Sequence, residues 1–157
     1  MEITERPNRW PWPLVIYGVA IVSGIALGQI WPLPWVKGEP ETYLNWLGVV
    51  MIVAAVLIDV AALMALRRAS TTVLPNKGAK NLVTSGPFAF SRNPIYLANT
   101  ALMAGLGLAV AQPWLLLLAL PAAYAVQKLA IEREEAHLEA QFGQSWKNYT
   151  RRVRRWF

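Results

Sequence analysis

The chain has 157 residues, 55% of them hydrophobic, with a net charge of +6 and no cysteine. Such apolar content is too high for an ordinary soluble domain and marks a membrane protein. The absence of thiols excludes disulfides, thiolate metal sites and cysteine nucleophiles, and one histidine, His137, leaves no histidine cluster for a metal.

The apolar residues gather into runs near the ~18–20 residues that cross a bilayer. Residues 14–31, 44–66, 94–111 and 113–131 predict four transmembrane helices. The first is long for a signal-peptide core, follows two glutamates and lacks a small-x-small cleavage site, so it is read as a retained helix. Trp10 and Trp12 fall at the inner interface. Trp31, Trp35, Tyr43, Trp46 and Trp114 fall at the outer one, as the preference of tryptophan for the headgroup layer requires. Pro32 and Pro34 end the first helix. The second run carries one charge, Asp59, about two turns before Arg67. A carboxylate at that depth is costly and by default functional. The plainer reading is a group that is protonated, hydrogen-bonded to a neighbouring helix, or reached by water and by Arg67 or Arg68.

Between the second and third runs lies a turn-forming stretch, residues 82–96, with Gly86-Pro87, Arg92 and an Asn93-Pro94 step. Irregular backbone of this kind is tolerated at membrane depth where it lines a cavity. Pro94 suits a first helical turn. Ala101, Gly105 and Ala109, four apart, suit the close approach of another helix. Gly105-x-Gly107 has the form of a nucleotide loop but falls inside a helix, so it carries little weight. Only Gln112 and Pro113 separate the third helix from the fourth, which predicts a tight outer hairpin, and Pro121 predicts a kink. After Val126 the pattern turns polar without a break. Ile131, Glu135, Leu138 and Phe142 continue one stripe, so the fourth helix should run past the membrane until Gly143 stops it. A short amphipathic helix then carries Trp146, Tyr149 and Val153. The basic tail after it, Arg151, Arg152, Arg154 and Arg155, suits anionic headgroups.

Fourteen of the fifteen Lys and Arg lie on one side of this layout, with Lys37 alone opposite. That asymmetry places both termini and the 82–96 stretch in the cytoplasm, as in an integral protein of an inner, cytoplasmic membrane, and makes nucleic acid a poor partner. The expected fold is an all-α integral membrane protein. It forms a single membrane domain, residues 1–157, of four transmembrane helices, the last extended into the cytoplasm, plus a short C-terminal amphipathic helix. The hairpin then brings its cytoplasmic ends together, so Arg92 and the run Glu132, Glu134, Glu135 should be neighbours. Taken singly, the acids read as a solvated face with pairs such as Lys128 with Glu132, and Arg92 reads as a positive-inside anchor.

Taken together, these motifs say more. The order Leu82-Val83-Thr84-Ser85-Gly86-Pro87-Phe88, Arg92-Asn93-Pro94-Ile95-Tyr96, then Glu134-Glu135 with Leu138, Phe142-Gly143, Trp146 and Tyr149 resembles the isoprenylcysteine carboxyl methyltransferase family and the related phospholipid N-methyltransferases. The resemblance covers roughly residues 71–152. It implies S-adenosyl-L-methionine as methyl donor, held at the cytoplasmic face by segments 80–96 and 132–150 through Lys80, Asn81, Leu82, Val83, Phe88, Asn93, Pro94, Ile95, Tyr96 and Glu134. Arg92 and Glu135 are then the catalytic candidates, acting on a lipid or lipid-like acceptor that enters from the membrane. Carboxyl methylation of an isoprenylcysteine-like acceptor is the first reading, and phosphatidylethanolamine-type N-methylation the alternative. Two departures bear on that choice: Asn93-Pro94 stands where the carboxyl methyltransferases carry His-Pro and the phospholipid enzymes Asn-Pro, and Ala130 stands where the former carry the arginine that faces the substrate carboxyl. A reading from another class is a small four-helix transporter that couples through Asp59.

Overall fold

A computed structural model describes residues 11–71 and 80–157, and these are helical with no strand among them. The first helix, α1, spans Trp12–Ile30, α2 spans Glu39–Arg68, α3 spans Pro94–Ala109 and α4 spans Pro113–Val126. From α4 the helix passes through one π turn, Gln127–Ile131, into α5, Glu132–Phe142. Helix α6, Gln144–Thr150, follows. The fourth helix therefore does run on past its apolar part, and the short C-terminal helix is present. Arg6, Arg9, Trp10 and Lys77, used above for charge and interface placement, lie outside the described residues.

Helix α3 packs between α2 and α4, and α1 covers α4. The α2–α3 contact is a seam of small residues. Gly48, Ala55 and Ala62 are buried on α2 at seven-residue spacing, which keeps them on one face. A Cβ on Gly48 would stand 2.6 Å from the Gly105 carbonyl oxygen of α3, so only a glycine lets the two backbones approach this closely. Long apolar side chains such as Val53, Leu57, Leu117 and Leu120 remain exposed, as expected of surfaces that meet lipid. The α3–α4 turn closes through Gln112 N–H to the Gly107 carbonyl at 2.7 Å, and Trp114 Nε1–H donates to the Trp31 carbonyl at 2.7 Å, tying the C-terminal end of α1 to the N-terminal end of α4.

Among the described residues three helices are long and apolar enough to cross a membrane: Trp12–Ile30, Glu39–Arg68 and the continuous Pro113–Phe142. Helix α3 has 16 residues. At ~1.5 Å per residue that is roughly 24 Å of helix, against a hydrocarbon core of ~30 Å. The expectation of four full spans is therefore met by length in three helices.

Two clusters make the core. Tyr17, Met103, Leu115, Ala119, Ala122, Val126, Ala130 and Ile131 fill the space between α1, α3 and α4. The Tyr17 hydroxyl lies 2.6 Å from Thr100 Oγ1 and donates to the Tyr96 carbonyl at 3.2 Å, which fixes α1 to the N-terminal half of α3. The second cluster, Trp146, Tyr149 and Val153 with Leu82, Leu138 and Phe142, lies at the end of the bundle where α5 and α6 meet the loop before α3. Gly143, at φ +49°, ends α5 and turns the chain back so that α6 can join it. Asp59 lies on the seam face of α2 between Ala55 and Ala62. Its Oδ1 is buried without a hydrogen-bond partner, so neither Arg67 nor Arg68 satisfies that atom among the described residues.

Candidate functional site

The Asn93-Pro94 step starts α3, and the two acids of α5 hold it from either side. Arg92, just before the step, lies with Nη2 3.4 Å from Glu135 Oε1. Tyr96, just after it, donates its hydroxyl to Glu134 Oε1 at 2.8 Å. Consecutive residues on a helix point ~100° apart, so Glu134 and Glu135 can each take a different flank of the loop. The loop arginine and the distant acid pair are brought together. Asn93 itself is buried, its backbone N–H bonded to Ser91 Oγ at 3.1 Å.

A third charge joins them. Arg155 Nη2 donates to Glu135 Oε2 at 2.6 Å, its Nε lies 3.2 and 3.1 Å from the two carboxylate oxygens, and its Nη1 is 3.8 Å from Glu132. The hydrogen bonds to Glu135 raise the pKa of Arg155, with burial opposing. This corrects the reading of the tail as a lipid-facing basic run. Arg151, Arg152 and Arg154 are exposed, but Arg155 turns inward because the backbone beside it is hooked to the loop. Arg92 N–H donates to the Arg154 carbonyl at 3.0 Å, and Ser91 Oγ and Asn93 Nδ2 both donate to the Arg155 carbonyl, at 3.2 and 3.1 Å. Trp156 Nε1–H then reaches Gln127 Oε1 in the π turn at 2.8 Å.

These residues border a cavity of about 320 Å³ lined by Arg92, Glu132, Glu135, Glu139, Trp146 and Arg155 among others, within the ~300–1,000 Å³ range of small-molecule sites. The Arg92 guanidinium stands 5.7 Å from the centre of the Trp146 ring, close enough for a cation–π contact. Trp146 meets Tyr149 edge to face, with centroids 5.7 Å apart. Burial raises the pKa of Tyr149, Arg92 opposes the shift and Glu135 adds to it. Its hydroxyl donates to the Phe88 carbonyl at 2.6 Å. Arg92 Nε is buried and has no partner, a costly state that an anionic ligand group would relieve.

The remaining predicted residues divide. Pro94 is buried and Ile95 half-buried beside the site, Phe88 supplies the carbonyl that anchors Tyr149, and Leu82 spends its side chain in the second core cluster, with Val83 half-buried after it. Lys80 and Asn81 lie elsewhere: their backbone N–H groups reach Thr71 Oγ1 at 2.9 and 3.4 Å, and Asn81 Nδ2 reaches the Ala69 carbonyl at 2.7 Å. Those contacts run to the end of α2 and not to the acids. Lys128 pairs with Glu132 at 2.7 Å, the i, i+4 contact expected of an exposed face. Ala130, in the π turn, is fully buried. Sequence reasoning missed Arg155, Ser91, Gln127 and Trp156 as members of the site. The one available signal was a tryptophan inside an otherwise basic tail.

A family model described as phospholipid methyltransferase matches residues 43–145, which takes in α2 through α5 and the loop between α2 and α3. No curated protein and no solved structure matches the chain.

Proposed function

The chain belongs to the phospholipid methyltransferase family, a family of membrane methyltransferases, and from that premise we propose that it transfers a methyl group from S-adenosyl-L-methionine to a lipid acceptor at the cytoplasmic face. The observation that carries the reading is the double grip on the Asn93-Pro94 step, Arg92 by Glu135 and Tyr96 by Glu134. It supports a site built from two segments far apart in sequence, where a charged donor can lie beside a greasy acceptor. The layout that goes with it is four membrane helices with both termini cytoplasmic, as the charge asymmetry requires.

The residues present fit the donor. When bound, S-adenosylmethionine supplies a methyl made electrophilic by its sulfonium. Arg92, with its buried and unpartnered Nε, has donor capacity for the donor's carboxylate. Glu132 and Glu139, on the cavity wall, suit its ammonium or ribose hydroxyls. Trp146 offers an aromatic face for a cationic or heteroaromatic group. Glu135 has both oxygens engaged by guanidiniums, so its part is to orient Arg92. Most of the rate enhancement is then alignment and exclusion of water, and holding two reactants in near-attack geometry contributes ~7–11 kcal/mol.

Among lipid acceptors, an amine is favoured over a carboxylate. At Ala130, where the resemblance to carboxyl methyltransferases puts a cation, the chain has a buried methyl group. Of the cations nearby, Lys128 faces Glu132 and Arg155 faces Glu135, and the spare donor of Arg92 is assigned to the carboxylate of S-adenosylmethionine. An ammonium acceptor must lose a proton before attack. Asp59, with one carboxylate oxygen unpartnered, lies level with the start of α3 when the antiparallel register is counted down from Gly48 against Gly105, and is the candidate to take that proton.

The test is calorimetric titration of the purified protein with S-adenosylhomocysteine, repeated on Glu134→Ala, followed by alkaline treatment of the methylated lipid. Saturable binding that Glu134→Ala abolishes, and a methyl group that survives base as an N-methylamine does, are expected. Equal binding by both proteins removes the site, and a base-labile methyl ester restores the carboxyl reading.

A further inference from the structure

The C-terminal turn after α6 is bound to the loop at residues 91–93 through its own backbone, and the side chain it delivers reaches the acid that Arg92 needs. Resting on the donor reading above, we propose that Arg155 is a positioning residue for methyl transfer, holding Glu135 in the conformation in which Glu135 aims Arg92 into the cavity. Three hydrogen bonds fix where Arg155 starts. The carbonyls of Arg154 and Arg155 accept from Arg92 N–H, Ser91 Oγ and Asn93 Nδ2. From there the guanidinium takes Glu135 by two nitrogens, the shorter contact being 2.6 Å. Arg92 meets the other carboxylate oxygen at 3.4 Å. Charge-assisted hydrogen bonds strengthen as they shorten, so Arg155 sets the conformation of Glu135, and Arg92 answers to it.

The looser contact of Arg92 has a use. A guanidinium drawn fully onto Glu135 would spend its donors there. Held at 3.4 Å with its carbon 5.7 Å from the Trp146 ring centre, it keeps Nε free of any protein acceptor. Without Arg155, Glu135 has Arg92 as its remaining close cation, and the two collapse onto each other at the expense of the donor site. Arg155 itself borders the cavity, so an effect transmitted through Glu135 is told from a direct contact by whether it survives loss of the Glu135 carboxylate.

A double-mutant cycle on the full-length protein in detergent tests this, with S-adenosylhomocysteine affinity by calorimetry and thermal unfolding in parallel. Arg155→Ala should weaken binding by about tenfold. In a Glu135→Gln background, itself weaker, Arg155→Ala should produce little further loss, because the route through Glu135 is gone and the remaining contact, Nη1 to Glu132 at 3.8 Å, is long. Arg155→Lys keeps the charge but not the two-nitrogen geometry, so it should restore thermal stability while recovering only part of the affinity. It also serves as the informative variant if Arg155→Ala fails to fold. Arg151→Ala, at an exposed position of the same tail, should leave affinity unchanged. Unchanged affinity in Arg155→Ala, or full affinity in Arg155→Lys, overturns the assignment. So does the same fold-loss in both backgrounds. A wild-type protein that fails to bind removes the donor reading and the assignment together, whereas binding that Arg155 does not affect removes the assignment alone.

Discussion

The two halves of the bundle, one at the α3–α4 hairpin and one at the loop before α3, are held by different physics. The hairpin half is a seam, in which Gly48 lies against Gly105, the 107–112 turn closes on itself and long apolar side chains are exposed. Its order comes from backbone approach and dispersion, summed over small contacts. The loop half is a net of directed polar contacts between segments far apart in sequence, such as Tyr96 with Glu134 and Tyr149 with Phe88. Damage to the first should cost stability and spare binding. Damage to the second should cost binding, with stability losses of about one hydrogen bond per contact removed.

The largest effect is expected inside the net. Arg92→Ala leaves Glu135 buried beside one cation where it had two and removes the unpartnered donor, so affinity for S-adenosylhomocysteine should fall by about 2–5 kcal/mol in calorimetry. A loss no larger than that of a surface arginine would break the division at its strongest point. Gly48→Ala acts on the other half. Its Cβ would overlap the backbone of α3, which cannot move aside as a side chain can, and overpacking of this kind costs about 1–3 kcal/mol of thermal stability. Binding per folded molecule should be retained.

Tyr149→Phe sharpens the contrast at smaller amplitude, with a loss of ~1 kcal/mol for one hydrogen bond. It also has a pH signature. Burial raises the pKa of Tyr149 above its ordinary 10.0, so the folded protein keeps a proton that the unfolded chain releases. The stability contributed is full below that pH and is lost as pH rises past it. The phenylalanine variant should show a shallower alkaline decline, measured by unfolding between neutral and strongly alkaline pH. The smallest effect belongs to Lys128→Ala, whose exposed pair with Glu132 should be undetectable in unfolding at moderate salt.

The same division decides what could be read in the sequence. Apolar runs reveal helices because lipid imposes composition, so α1, α2 and α4 were legible to within a few residues. The four-residue spacing at Gly105 pointed to the seam, though it could not say that Gly48 was the partner. The short hairpin between α3 and α4 made the meeting of Arg92 with Glu134 and Glu135 an inference from connectivity. Arg155 was not legible, since its place is set by the Ser91 and Asn93 side chains holding a carbonyl, and a carbonyl carries no sequence. Leu82 shows the converse. Its motif was visible, but the structure gives its side chain to packing against Trp146 and Tyr149.

The π turn at Gln127–Ile131 has a consequence of its own. A π turn absorbs one residue more than α geometry would, so the rod below it is out of phase with the rod above by about 100°. The upper rod is indexed to the lipid and to α3, the lower one to Arg92 and Tyr96. Winding those five residues into an ordinary α-turn would swing both acids a quarter-turn around the axis, out of reach of the loop, with no change of sequence. The widened turn is the clutch between the two halves, and the Trp156 indole, bonded to Gln127, rests against its rim.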